Sequence, residues 1–150
     1  MPGTLTLRII TPDRIVLDCQ TSSVRIPGVD GSIGILPRHA HMVAAVDVGT
    51  LSYVEDGRQK GIFVSEGFAE VRDNTLRVVC EAGEIPAEID EKRAKEAEKR
   101  ARERLAQPKG AKGDSGALGV TDSLRAEAAL RRALARQHVL GLYGRERVRS

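Results

Sequence analysis

The stretch "EIDEKRAKEAEKRARERLAQ", Glu88 to Gln107, decides how the chain is organised. Ala, Glu, Lys, Gln and Arg fill most of it, and all are strong helix formers, so it predicts one helix. Its only large apolar residues are Ile89 and Leu105, too few for an ordinary amphipathic helix buried against a core. A helix so charged needs a partner that accepts a seam of small side chains.

That partner is written further along the chain. At an offset of 32 residues Asp90, Arg93, Ala94, Ala97, Arg100, Ala101 and Arg104 coincide with Asp122, Arg125, Ala126, Ala129, Arg132, Ala133 and Arg136. Each copy reads DxxRAxxAxxRAxxR, with Asp90 and Asp122 as expected N-caps. The alanines form one narrow stripe and the arginines flank it on the same side. "QPKGAKGDSGALG", residues 107–119, holds four glycines and a proline and is expected to be a flexible connection. Two such helices predict an antiparallel hairpin whose backbones approach closely. Alanine buries little area, so the hairpin is expected to be weakly held. Two readings follow: alternation between docked and extended forms, or a static, solvated helical pair.

Upstream the pattern is β. "TLTLRII" (Thr4 to Ile10), "SSVRIPG" (Ser22 to Gly28) and "TLRVV" (Thr75 to Val79) alternate apolar and polar residues, and Pro27-Gly28, Asp30-Gly31, Asp56-Gly57 and Asp73-Asn74 are expected turns. Short strands without intervening helices imply an antiparallel sandwich or flattened barrel. Its core is expected to combine Val, Ile and Leu with Phe63 and Phe68. The composition changes after Pro86, which divides the chain into an all-β sandwich or flattened barrel (1–86), a C-terminal α-helical hairpin (87–140) and a basic tail (141–150) interrupted by Gly141 and Gly144.

Charge follows the same division. Residues 1–86 hold 8 Lys and Arg against 11 Asp and Glu, net −3; residues 87–150 hold 16 against 10, net +6. The second part is therefore expected to meet something acidic. With a pairing sum of roughly 228 for antiparallel helices, Arg93 faces about position 135 and Arg100 about 128. Arg132 and Arg136 fall in the same span, so four guanidinium groups crowd together. Neighbouring carboxylates relieve their repulsion, or a polyanion bridges them, for which the planar guanidinium is suited. A solvated basic face is the alternative.

Other chemistries find little support. His39 and His41 lack a third metal ligand at suitable spacing and an expected carboxylate partner, Ser65 lacks a nucleophile-elbow pattern, and "GVDGSIG" lacks the lysine of a phosphate loop. No catalytic constellation is found. A nucleic-acid-binding module using the basic hairpin is the rival reading, weakened because Tyr143 is the only aromatic in residues 87–150. No run of ~18 apolar residues marks a membrane span. Neither a secretory nor a transit signal is legible, so the chain is expected to stay where it is made. Cys19 and Cys80 are expected to be buried reduced thiols.

"GVDGSIGILPRHA" (Gly28 to Ala40) in a β domain, followed by an Ala/Arg-rich hairpin opening with "IDEKRA" (Ile89 to Ala94), resembles the epsilon subunit of bacterial F-type ATP synthase over nearly the whole chain. The resemblance implies a non-catalytic rotor subunit, peripheral on the cytoplasmic side of the bacterial membrane. Its β-sandwich would sit on the gamma subunit and the ring of c subunits. Its hairpin would fold down when ATP is bound and extend to restrain ATP hydrolysis, meeting an acidic segment of the beta subunit. "IDEKRA" matches the IDxxRA motif with which bacterial members bind ATP. The implied site comprises Glu84, Ile89, Asp90, Arg93, Ala94, Arg100, Arg132 and Arg136, with arginines on the phosphates, Arg93 and Arg132 foremost, and Asp90 on the adenine side. The resemblance also places Asp30, Gly31, Ser32 and Ile33 toward the c-subunit ring, and Pro37, His39 and Met42 near gamma. The long 107–119 connection departs from the tight turn usual in the family.

Overall fold

The computed structural model describes residues 3–107 and 117–144. Ten strands come first: β1 (Leu5–Ile10), β2 (Ile15–Thr21), β3 (Val24–Gly28), β4 (Gly31–Ile35), β5 (Met42–Val46), β6 (Gly49–Glu55), β7 (Arg58–Val64), β8 (Gly67–Arg72), β9 (Thr75–Cys80) and β10 (Gly83–Glu84). A 3-10 turn at Pro86–Glu88 leads into α1 (Glu91–Ala106), and α2 (Ala117–Tyr143) closes the described chain.

Alternation builds the sandwich. Leu5, Leu7 and Ile9 of β1 are buried while the residues between them are half-exposed, and Leu76 and Val78 of β9 repeat this beside them. The strands follow one hydrogen-bonded path, β10-β7-β6-β3-β5-β8-β9-β1-β2, with β4 paired to β3, and their inner faces share one apolar cluster. Asp56 and Gly57 (φ 51° and 74°) and Asp73 and Asn74 (φ 49° and 57°) turn the β6–β7 and β8–β9 hairpins, both residues of each pair in the left-handed region that a two-residue type I′ turn requires.

Three expectations about this domain need correction. β1 and β9 run parallel, Leu7 opposite Leu76 and Ile9 opposite Val78, in an otherwise antiparallel sheet. They are far apart in the chain, and no hairpin turn dictates their direction. Pro27-Gly28 lies within β3, opposite Ser32 and Gly31, so the reversal falls at Val29 and Asp30. Phe68 is 51% exposed and outside the core. It shares the parity of Glu70 and Arg72 in β8, whereas Ala69 and Val71 point inward.

The hairpin forms along the repeat. Ala94 and Ala101 of α1 and Ala126 and Ala133 of α2, equivalent residues of the two copies, are all buried where the helices meet. Gln137 Nε2 donates to Glu98 Oε2 at 2.7 Å across the seam. Asp90 caps α1, accepting the Arg93 amide at 3.0 Å. The helix therefore begins at Glu91, as the expected Asp90 cap implies, after the 3-10 turn at Pro86–Glu88.

α2 is longer than its sequence signals indicate. It starts at Ala117, so Asp122 lies inside it and residues 117–119 of the expected connection are helical. It also runs through Gly141 to Tyr143. A helical glycine costs about 1 kcal/mol, which packing by Val139, Leu140 and Tyr143 offsets. Residues 108–116 of the connection and 145–150 of the tail lie outside the described residues.

Candidate functional site

β7 is covered on both faces. Period-two alternation sends Ile62 and Val64 into the sandwich core and turns Phe63 outward, where it joins Ile89 and Val139 in a second buried cluster flanked by Val48, Ala82, Ala135, Leu140 and Tyr143. The hairpin is thus docked on the sheet, with α2 against β6 and β7.

Polar contacts surround this cluster. Arg136 grips Glu84 through both ends of its guanidinium, Nη2 donating to Oε1 at 2.9 Å and Nε to the same oxygen at 3.1 Å, with each side chain only 26% exposed. The guanidinium carbon lies 4.3 Å from the centre of the Phe63 ring, so the group is stacked as well as paired. Arg131 Nη2 donates to Asp47 Oδ2 at 2.6 Å at the edge of the interface. Arg14 pairs with Glu88 and donates to the Gly83 carbonyl at 3.4 Å, fixing the segment that enters the hairpin.

Of the residues implied by the family resemblance, Glu84, Ile89, Asp90 and Arg136 lie at this junction, with unequal roles. Glu84 and Arg136 are paired to each other. Ile89 is buried against Phe63, Asp90 is the helix cap, and Ala94 lies in the alanine seam. Arg93 and Arg100 are exposed on α1 and Arg132 is half-buried on α2. Among the described residues these three side chains have no hydrogen bond or ion pair. Helical periodicity puts Arg93 and Arg100 on one flank of the α1 alanines, and Arg132 and Arg136 on the equivalent flank of α2. In an antiparallel pair these flanks lie on the same side, but the Glu98–Gln137 bond sets the pairing sum near 235 rather than the expected 228, so Arg100 comes opposite about position 135, near Arg136, and Arg93 opposite about 142. Arg136 is the exception to the expected repulsion, because Glu84 neutralises it.

Elsewhere the structure refines the expectations. Asp30, Gly31 (φ 124°) and Ser32 are exposed at the β3–β4 turn, Arg25 Nη1 donates to Ser32 Oγ at 3.3 Å, and Ile33 is half-buried. Pro37, His39 and Met42 are half-buried, and His39 Nδ1 lies 2.8 Å from the Ala40 carbonyl. His41 does have a carboxylate neighbour: Asp73 is 3.6 Å away, and its amide donates to His41 Nε2 at 3.4 Å. The β8–β9 turn supplies it, which local spacing does not reveal. Cys19 and Cys80 are free thiols; burial, then Glu55, pushes Cys19 up to about 11, and burial raises Cys80.

Reasoning from sequence missed two features. Gly61, Asp47 and Arg131 contribute to docking without a local signal, although the apolar run "IFV" (Ile62 to Val64) marks a strand covered on both faces. The outer sheet face also carries a cross-strand row, Ala45–Phe68–Val79–Ile10–Ile15, extended by Val43 two residues from Ala45. Ile15 is 58% and Val43 73% exposed. No described helix is long and apolar enough to cross a membrane.

This architecture is that of a β-sandwich carrying an α-helical hairpin folded against one sheet. The chain belongs to the ATP synthase delta/epsilon chain family: residues 4–86 match its β-sandwich domain and residues 87–141 its long α-helix domain. It is 43% identical over 141 residues to the ATP synthase epsilon chain of Nitratidesulfovibrio vulgaris strain DP4, covering 94% of this chain and 98% of that one. The epsilon chain of Symbiobacterium thermophilum is 44% identical over 138 residues, 91% and 93% of the two chains. In fold it is similar to a chain of the Euglena gracilis mitochondrial ATP synthase, solved as OSCP, F1 and c-ring in rotational state 1, with a TM-score of 0.75 at 22% identity over 93% of this chain and 83% of that one. A chain of the Tetrahymena thermophila mitochondrial ATP synthase central stalk and c-ring gives a TM-score of 0.55 at 13% identity, covering 93% and 97%.

Proposed function

We propose that this chain is a non-catalytic rotor subunit of a proton-translocating F-type ATP synthase, linking gamma to the c-subunit ring, and that its hairpin restrains ATP hydrolysis when it leaves the sandwich. The observation that carries this reading is the nature of the hairpin's contacts. The seam consists of four buried alanines, whose methyl groups contribute about 3 kcal/mol together at about 0.8 each. Docking adds one small apolar cluster and a few ion pairs. A body held this lightly exchanges partners at modest cost, and the basic outer face of α1 then meets an acidic segment of the beta subunit.

ATP is the proposed regulatory ligand of the docked form. Arg93, Arg100 and Arg132 lack compensating charge and flank the α1–α2 seam, so a polyphosphate would relieve their mutual repulsion and hold the two helices down together. Asp90 and the backbone near Ile89 would face the adenine. On the sandwich, the row through Phe68, half-buried Val79 and Ile15 would bury its apolar surface against gamma, near Pro37, His39 and Met42, and the Asp30–Ile33 turn would meet the c-subunit ring. The subunit would accordingly be peripheral on the cytoplasmic side of the membrane, attached through the complex.

Calorimetric titration of the isolated chain with ATP tests the ligand. Saturable heat is expected, lost in Arg93→Ala and Arg132→Ala; no heat at millimolar nucleotide would remove ATP sensing. Deleting residues 87–150 tests the restraint: hydrolysis by the assembled complex should rise, and an unchanged rate would overturn it. The nucleic-acid reading predicts salt-dependent binding of random oligonucleotides by the intact chain.

A further inference from the structure

Gly61 stands in the middle of β7, opposite Ser52 of β6, where glycine weakens a strand. Its φ is not in the left-handed region occupied by Gly31 and Gly57, so the backbone at this position accepts any L-residue. Space is what excludes one. The ring of Tyr143, the last residue of α2, fills the place where a side chain would begin: a Cβ on Gly61 would stand 2.8 Å from Cζ and nearer still to the ring edge. Gly61 shares its parity with Phe63, and the same ring packs onto the Phe63–Ile89–Val139 cluster.

We propose that Gly61 and Tyr143 form a matched lock that sets what fraction of molecules hold the hairpin on the sandwich. The remaining contacts at the outer edge are weak candidates for that role. Arg131 is half-exposed beside Asp47, and ion pairs of this kind contribute little in water. The Tyr143 ring, by contrast, is the only aromatic the hairpin brings to the sheet, and it enters a recess prepared by an absent side chain. The lock needs only the docked geometry, so it stands whether or not the hairpin binds ATP or restrains hydrolysis.

Hydrogen exchange on the full chain without nucleotide tests it, using wild type, Gly61→Ala, Tyr143→Ala and the double variant. Amides of Arg132–Val139, a turn back from the helix end, should exchange about tenfold faster in either single variant, while those of β1 and β9 keep their protection. The double variant should exchange no faster than Tyr143→Ala, because the added methyl has nothing to displace once the ring is gone. Wild-type exchange in either single variant, or multiplied effects in the double one, would overturn the lock. Should Gly61→Ala also loosen β1 and β9, Tyr143→Ala decides alone, since it alters no strand: faster exchange supports the proposal and unchanged exchange rejects it.

Discussion

Arg136 concentrates two interactions in one side chain: a forked pair with Glu84 and a stack on Phe63. Replacing it with alanine leaves the partly buried Glu84 carboxylate without a partner, and should weaken docking by about 2 kcal/mol. Arg136→Lys keeps the charge but loses the fork and the flat stacking surface, so it should restore only part of that loss. Exchange of α2 amides measures both. Thr50 acts in the opposite sense. It is opposite Phe63, so it lies on the face beneath α2, and its buried hydroxyl has no hydrogen-bond partner. Thr50→Val removes that unmet group and should favour the docked form by about 1 kcal/mol, slowing α2 exchange. The family resemblance named Glu84, Ile89, Asp90 and Arg136 together as part of an implied ligand site, but their division of labour was not legible. Which carboxylate holds which guanidinium depends on how β10 approaches α2, a packing outcome with no local signature.

At the level of elements, the hairpin was the most legible part, because an internal repeat reports one packing environment twice. Ala94 and Ala126, and Ala101 and Ala133, are buried as equivalents. Ala101→Leu should overpack the seam and cost about 1–3 kcal/mol, seen as reduced helical content or a lower thermal midpoint, with the sandwich unaffected. Glu98 joins the two helices and carries a pH dependence. Its hydrogen bond from Gln137, then that from Arg102, hold its carboxyl below the ordinary value of 4.5. A depressed folded value stabilises the hairpin fully above the ordinary carboxylate range, and that stability is lost as pH falls through the folded value. Helix protection should therefore fall on acidification below about pH 4.5, and Glu98→Gln should flatten that dependence. The ends of α2 escaped the sequence because Asp122 and Gly141 are ordinarily boundary residues, yet the helix runs past both, held beyond Gly141 by the packing of Tyr143. Parallel pairing of β1 with β9 escaped it because hairpin turns specify only neighbours in the chain.

The whole molecule is two bodies of unequal robustness. The sandwich is a broad, dry core of Leu, Ile and Val, whereas the hairpin is joined to itself by alanines and to the sheet by one cluster rimmed with ion pairs. Raising salt should loosen the rim pairs and speed exchange in α2 more than in β1 or β9, a difference readable by hydrogen exchange at two ionic strengths. The same asymmetry gives the proposed function its physical basis: the domain that grips the rotor stays folded while the other changes neighbours. The most direct test is to forbid that change. Asp47→Cys and Arg131→Cys, joined by a short bis-maleimide across the docked interface, hold the hairpin down, and the native thiols compete poorly because burial raises both. In the assembled ATP synthase, hydrolysis should then rise to the rate seen without residues 87–150. A cross-linked complex that remains as restrained as one with a free hairpin would contradict the account.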